Sequence, residues 1–146
     1  MKYLIDTNIF LEVLLKRKRK EECKIFLTRV KTGEINAIFS HFALYSIEIL
    51  LSSQKKYNGL RKFLRSLTRY KGLIIYNTKL SEQLKIIDLM KKYALDFDDA
   101  LQMCVALTNQ VTEIVSFDPH FDGEFKDINF KRLEPKNVKE IQVQEK

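Results

Sequence analysis

The stretch Tyr3-Leu4-Ile5-Asp6-Thr7-Asn8 decides how the rest of the chain is read. A short apolar run ends on a carboxylate, two small polar residues follow, and a helix-like run extends from Ile9 to Lys16. In an open α/β sheet, residues just past the carboxyl end of a strand face the crevice where ligands bind. Asp6 therefore has two readings. It caps the next helix by accepting a hydrogen bond from a free backbone amide, or it is a site residue. The stretch by itself favours the cap; other acids converging on the same place favour the site.

Outward from this stretch, strand and helix patterns alternate. Ile9, Phe10, Val13 and Leu14 form a helical stripe that runs into Lys16-Arg17-Lys18-Arg19-Lys20, an exposed basic turn. Cys23, Phe26, Leu27 and Val30 repeat at i, i+3, i+4 and i+7, and this second helix stops at Gly33. Ala37 to Ser40 reads as a short buried strand and His41 to Ser53 as the helix after it. On that helix Leu44, Glu48 and Leu51 share one line, so Glu48 interrupts an apolar stripe. A carboxylate there must be paired, neutralised or bound to a cation. His41, one heptad before Glu48, is read as structural. Tyr57, Leu60, Phe63, Leu64 and Leu67 mark a further helix, with Arg61, Arg65 and Arg69 at four-residue steps on its other side. That ridge is either a solvated face or a contact surface for a polyanion.

Leu73 to Tyr76 reads as a third buried strand, and Leu80, Leu84, Ile87 and Leu89-Met90 carry a helix toward Tyr93-Ala94. The densest acidic cluster follows, Leu95-Asp96-Phe97-Asp98-Asp99-Ala100-Leu101. Asp96 and Asp99 have the spacing of a capping box, while Asp99 begins the apolar face that contains Met103 and Ala106. Thr112 to Phe117 is a fourth strand and, like the first, ends on an acid, Asp118. Pro119 opens a short helical turn with Asp118 as its cap. Asn129 to Leu133 forms a short fifth strand, and the chain from Glu134 onward is polar, a frayed or partner-binding tail. The expected organisation is one domain over 1–133 and a tail over 134–146.

Composition bounds the function. With 45% hydrophobic and 31% charged residues, the chain has an ordinary globular balance. It shows no membrane-length apolar run and no secretory pattern, so a cytoplasmic protein without a membrane partner is expected. Cys23 and Cys104 fall at apolar helical positions and read as buried thiols; the absence of a Cys/His cluster argues against zinc. The net charge of +7, from 26 Lys and Arg against 19 Asp and Glu, favours polyanionic partners, nucleic acid first. No glycine-rich phosphate loop or serine elbow offers a competing chemistry.

Alternating strands and helices predict a mostly parallel sheet covered on both faces. Asp6 and Asp118 end strands, and Glu48 and Asp99 lie on inward helical lines. Four converging carboxylates need a hard divalent cation, Mg2+ or Mn2+. Such a site inside a basic exterior suits phosphodiester hydrolysis, in which the ion polarises phosphate and activates water.

These features resemble the PIN-domain ribonucleases, including the VapC-type toxins of toxin–antitoxin modules. The resemblance is carried by Leu4-Ile5-Asp6-Thr7-Asn8, Glu48, Asp99-Ala100-Leu101, and Ser116-Phe117-Asp118 with Phe121 following, in that order, over Met1 to Leu133. It implies a three-layer α/β/α Rossmann-like domain with a sheet of four or five strands. It also implies one or two Mg2+ or Mn2+ ions held by Asp6, Glu48, Asp99 and Asp118. Thr7, Asn8, Ser116 and Asp96 are then the polar neighbours that orient ligands, with Asp122 a further outer candidate. The implied reaction is hydrolysis of single-stranded RNA to 3′-hydroxyl and 5′-phosphate ends, and the implied partners are RNA, an antitoxin protein and a second copy of the chain. Lys18, Arg19, Arg61, Arg65 and Arg69 are the candidate RNA contacts. The main rival is a non-catalytic PIN-like RNA-binding or protein-interaction module. A phosphoacceptor receiver domain fits poorly, because Asp6 is followed by Thr7-Asn8 and the Asp98-Asp99 pair opens a late helix.

Overall fold

The structure, a computed structural model, describes residues 2–139. Its elements are β1 (Lys2–Ile5), α1 (Thr7–Leu14), α2 (Lys20–Thr32), β2 (Asn36–Ser40), α3 (His41–Ser53), α4 (Tyr57–Leu67), β3 (Leu73–Tyr76), α5 (Leu80–Tyr93), α6 (Phe97–Thr108), β4 (Glu113–Val115) and β5 (Lys131–Leu133). Short 3₁₀ turns follow β4 and β5, at Pro119–Asp122 and Pro135–Asn137. The strands form one sheet in the order β3-β2-β1-β4-β5, and every pairing is parallel.

This order places the ligand crevice. The chain steps from β1 to β2 to β3 on one side, then returns to β4 and β5 on the other. The strand order therefore reverses between β1 and β4, and a cleft opens beyond their carboxyl ends. The chain crosses that point at Asp6, whose backbone N–H donates to Val115 O at 3.0 Å.

The three layers follow from the alternation of side chains along each strand. Tyr3, Ile5, Ala37, Phe39 and Val115 pack into a core with residues of α1 to α4, where Phe10 meets Phe39 at 4.8 Å and Phe63 at 5.4 Å between ring centroids. Leu4, Ile38 and Ile114 face the other way, into a core built with α5, α6 and Phe121, Phe125 and Phe130. Central strands buried on both faces are continuously apolar, which is why the patterns of β1, β2 and β4 could be read. Two glycines hold the edge together. Gly33 ends α2 with φ of 86°, and a Cβ on Gly72 would fall 2.1 Å from Ile35 O.

Three expectations change. β3 is an edge strand and not a buried one: Ile74 and Ile75 remain 49% and 36% exposed. The arginine ridge is shortened, because α4 ends at Leu67 and Arg69 sits in the turn beyond it. The chain after Leu133 does not fray at once. Val138 is buried in the first core, and Arg29 donates to the carbonyls of Val138 and Lys139, at 3.2 Å each. The rest of the predicted tail, 140–146, lies outside the described residues. Cys23 and Cys104 are free and buried as expected, and burial pushes the Cys23 thiol up to about 12. No described helix is long and apolar enough to cross a membrane.

Candidate metal centre at the ends of β1 and β4

Asp6 caps α1 and also lies where other acids converge. Its Oδ1 accepts from Thr7 N at 2.7 Å and so caps α1. Its Oδ2 accepts from Asn8 Nδ2 at 3.2 Å and from the Ser116 hydroxyl. Ser116 is fully buried after β4; its Oγ also accepts from Asp118 N at 2.9 Å, so one hydroxyl ties together the acids that end two neighbouring strands. Asp118 in turn caps the 3₁₀ turn by accepting from His120 N at 2.9 Å. The third acid, Asp99, lies in the first turn of α6 and is only 8% exposed. All three acids line one cleft of about 290 Å³ together with Thr7, Asn8, Ser46, Asp98 and Gln102.

The electrostatics of this cleft are unbalanced. None of its lining residues is a lysine or arginine. Burial, with the Asp118 charge adding to it, raises the Asp6 carboxyl above its ordinary value despite the bonds from Ser116, Thr7 and Gln102. Burial first, then Asp118 and Asp98, raises Asp99, while His120 pulls the other way. His120 Nδ1 lies 3.1 Å from Asp99 Oδ2 and 3.4 Å from Asp118 Oδ1. Two buried amide oxygens, Asn8 Oδ1 and Gln102 Oε1, have no hydrogen-bond partner. Buried acceptors without donors are uncommon in folded proteins. Carboxylates converging without a lysine or arginine, beside unpartnered amide oxygens, are the donor set of a hard divalent ion, so these residues fit one.

The expected site is assembled in part. Asp6, Asp99 and Asp118 come together, with Thr7, Asn8 and Ser116 around Asp6. Glu48 is not among the residues that line the cleft: it is half-buried on α3 with no hydrogen bond or ion pair among the described residues, and Ser46, two residues earlier, takes the lining position. Two residues are about 200° around a helix, so the face holding Ser46 and the line holding Glu48 flank opposite sides of the buried stripe. Asp96 occupies the N-cap position of α6 without its side chain capping the helix. It is exposed and lines a neighbouring cavity of about 610 Å³, which shares Asp99 with the acid cleft and is also lined by His120. Asp122 is paired with Arg132, through two bonds of 2.8 and 2.9 Å, and is not among the residues that line the acid cleft. Arg19 is likewise committed, to Glu22 and Glu134 at 2.7 Å each, with its guanidinium 4.1 Å from the Phe117 ring centroid. Lys18, Arg61 and Arg65 remain exposed. His41 packs on Tyr45 at 4.3 Å, in keeping with a structural role.

Sequence reading missed Gln102, Ser46 and His120. Gln102 was detectable, one helical turn after Asp99 and so on the same face of α6. His120, two residues after Asp118, carries no periodic signal because a 3₁₀ turn has no sequence pattern of its own.

The family model described as PIN domain matches residues 3–126. No curated protein matches the chain. Among solved structures, the chain is similar to a toxin–antitoxin complex from Klebsiella pneumoniae, with 20% identity and a TM-score of 0.65 over 91% of this chain and 97% of that one. It is similar to VapC20 of Mycobacterium tuberculosis, a sarcin–ricin loop-cleaving toxin, with 12% identity and a TM-score of 0.64 over 80% and 89%. VapBC2 from Rickettsia felis, bound to a DNA fragment from its promoter, gives 16% identity and a TM-score of 0.66 over 92% and 98%. At these identities the likeness establishes the fold.

Proposed function

The chain belongs to the PIN-domain family, and from that premise we propose that it is a Mg2+- or Mn2+-dependent endoribonuclease acting on single-stranded RNA, the toxin of a toxin–antitoxin module. One observation carries the reading: Asp6, Asp99 and Asp118 line a cleft without Lys or Arg, beside two unpartnered buried amide oxygens. Asp6, Asp99 and Asp118 would hold the ion, while Thr7, Asn8 and Ser116 fix the Asp6 carboxylate and Ser116 sets its distance from Asp118. When bound, a divalent ion supplies charge neutralisation at the phosphate and a water of lowered pKa. Lys18, Arg61 and Arg65 are the exposed cations that would gather the RNA backbone, which makes binding weaken with salt.

The antitoxin partner is supported by the Klebsiella and Rickettsia neighbours, both described as complexes with an antitoxin or as a VapBC pair. An apolar groove lined by Phe10, Val13, Leu14, Leu27, Phe63 and Tyr70 suits an apolar antitoxin segment. A homodimer is supported by Leu80, Leu84 and Ile87, which leave one face of α5 apolar and open to solvent. The direct test is cleavage of single-stranded RNA with Mn2+ or Mg2+. Activity is expected to vanish with EDTA and in Asp6→Asn. Cleavage that survives both changes overturns the metal-dependent reading.

A further inference from the structure

His120 stands at the rim of the acid cleft in a position its surroundings dictate. Pro119 begins the 3₁₀ turn, Phe121 anchors it in the second core at 1% exposure, and the His120 backbone N–H is held by Asp118. The imidazole is 65% exposed, yet its Nδ1 lies 3.1 Å from Asp99 Oδ2 and 3.4 Å from Asp118 Oδ1. One donor atom from each of these three residues falls within 4.8 Å of the other two. Two ligands at about 2.1 Å from one ion, subtending about 90–110°, are separated by about 3.0–3.4 Å. The two distances from the imidazole nitrogen to the carboxylate oxygens are those of adjacent corners of one coordination polyhedron. Gln102, 4% exposed, independently lines the same cleft with its Oε1 unpartnered.

We propose that His120 is a nitrogen ligand to the divalent ion of this cleft, and that it tilts ion preference away from Mg2+ toward later first-row ions. The proposal rests on the metal-dependent reading above. Mg2+ takes oxygen and keeps its waters, whereas imidazole is a good ligand for Co2+ and its neighbours, whose affinities rise along the row. The competing role is an ion pair that merely screens Asp99 and Asp118. A screening cation would oppose every divalent ion alike and would favour none.

The experiment titrates the metal-free full chain with Co2+ and, separately, Mg2+ by calorimetry, and records the visible Co2+ absorption spectrum. His120→Ala and Asp6→Asn are run beside the unsubstituted chain. If His120 is a ligand, His120→Ala loses about 10-fold or more in Co2+ affinity, shifts the Co2+ bands, and leaves Mg2+ affinity nearly unchanged. Equal changes for both ions with an unmoved spectrum overturn the proposal and leave the metal site standing, provided Asp6→Asn abolishes binding. Binding of neither ion to the unsubstituted chain removes the metal-dependent reading and the proposal together. His120→Gln separates ligation from folding: it keeps a polar side chain of similar reach, and it should fail to restore the Co2+ spectrum.

Discussion

Two groups of carboxylates, joined by one serine, are treated in opposite ways. Asp122 and Glu134 meet Arg132, and Glu134 also meets Arg19; these guanidinium groups hold both carboxyls below their ordinary values. Asp6 and Asp99 meet no lysine or arginine, and burial raises both. Ser116 belongs to both regions, since its hydroxyl donates to Asp6 while its carbonyl accepts from Arg132 Nη1 at 3.1 Å. A chain with seven excess positive charges thus spends its arginines on acids that brace the end of the sheet and withholds them from the cleft. A guanidinium partner marks the bracing acids, and its absence together with convergence on one cleft marks the candidate site.

The largest expected effect comes from neutralising an acid that meets no guanidinium. Asp6→Asn and Asp99→Asn should each lower kcat/KM on single-stranded RNA by more than about 100-fold, beyond what an outer-sphere partner is worth. The same substitutions should not destabilise the metal-free protein, because they remove a charge that burial disfavours. The pH dependence gives the sign. Asp6 and Asp99 have raised folded pKa values, so their contribution to stability is fully present below the unfolded carboxylate value and is lost as pH rises through the folded one. Asp122 and Glu134 are lowered, so theirs is present above the unfolded value and lost as pH falls through the folded one. Melting curves of the metal-free chain between acid and neutral pH should lose the Asp6 share of the first component in Asp6→Asn and keep the second.

Metal removal is the next test of the contrast. An ion at a hundred times its Kd adds about 2.7 kcal/mol of stability to a folded state that alone binds it. Mn2+ should therefore raise the melting temperature of the unsubstituted chain, EDTA should reverse the rise, and Asp99→Asn should show neither. Arg132→Ala probes the braced region instead. It should cost about 1–3 kcal/mol in denaturant unfolding, because the Ser116 carbonyl and Asp122 lose their donor while Glu134 keeps only Arg19. It should also lower cleavage by about 10-fold through the loosened Ser116, as an outer-sphere change does. A stability loss with unchanged cleavage would mean that Ser116 does not transmit the brace to Asp6.

The parallel sheet, most helices and the three strand-end or helix-start acids were legible because each depends on local pattern. A buried strand is continuously apolar, and an acid that ends such a run stands out. The exposure of β3 was not legible, since an edge strand differs from an inner one only by a neighbour that the sequence does not name. The commitment of Arg19 to Glu134 was hidden by 115 residues of separation. The unpartnered oxygens of Asn8 and Gln102 are properties of three-dimensional neighbours, and no spacing encodes them.

Glu48 carries the smallest expected effect and the sharpest lesson about pattern. Leu44 and Leu51 are buried, and Glu48 does lie between them in the helical repeat. Yet a repeat identifies the apolar face of a helix without saying which neighbour flanks its border. On α3 one flank supplies Phe42 and Ser46 to the lining of the acid cleft, and Glu48 lies on the other flank. Glu48→Gln should therefore change stability by no more than about 0.5 kcal/mol, and cleavage by less than about 2-fold, the rate equivalent of that energy. A loss on the scale of Asp6→Asn would place Glu48 at the ion after all. Because Glu48 carries the same charge as the cleft acids, this substitution also separates location from charge. If the unpaired state of the acids matters only where they converge, removing a half-buried, unpaired carboxylate elsewhere leaves both metal affinity and cleavage intact.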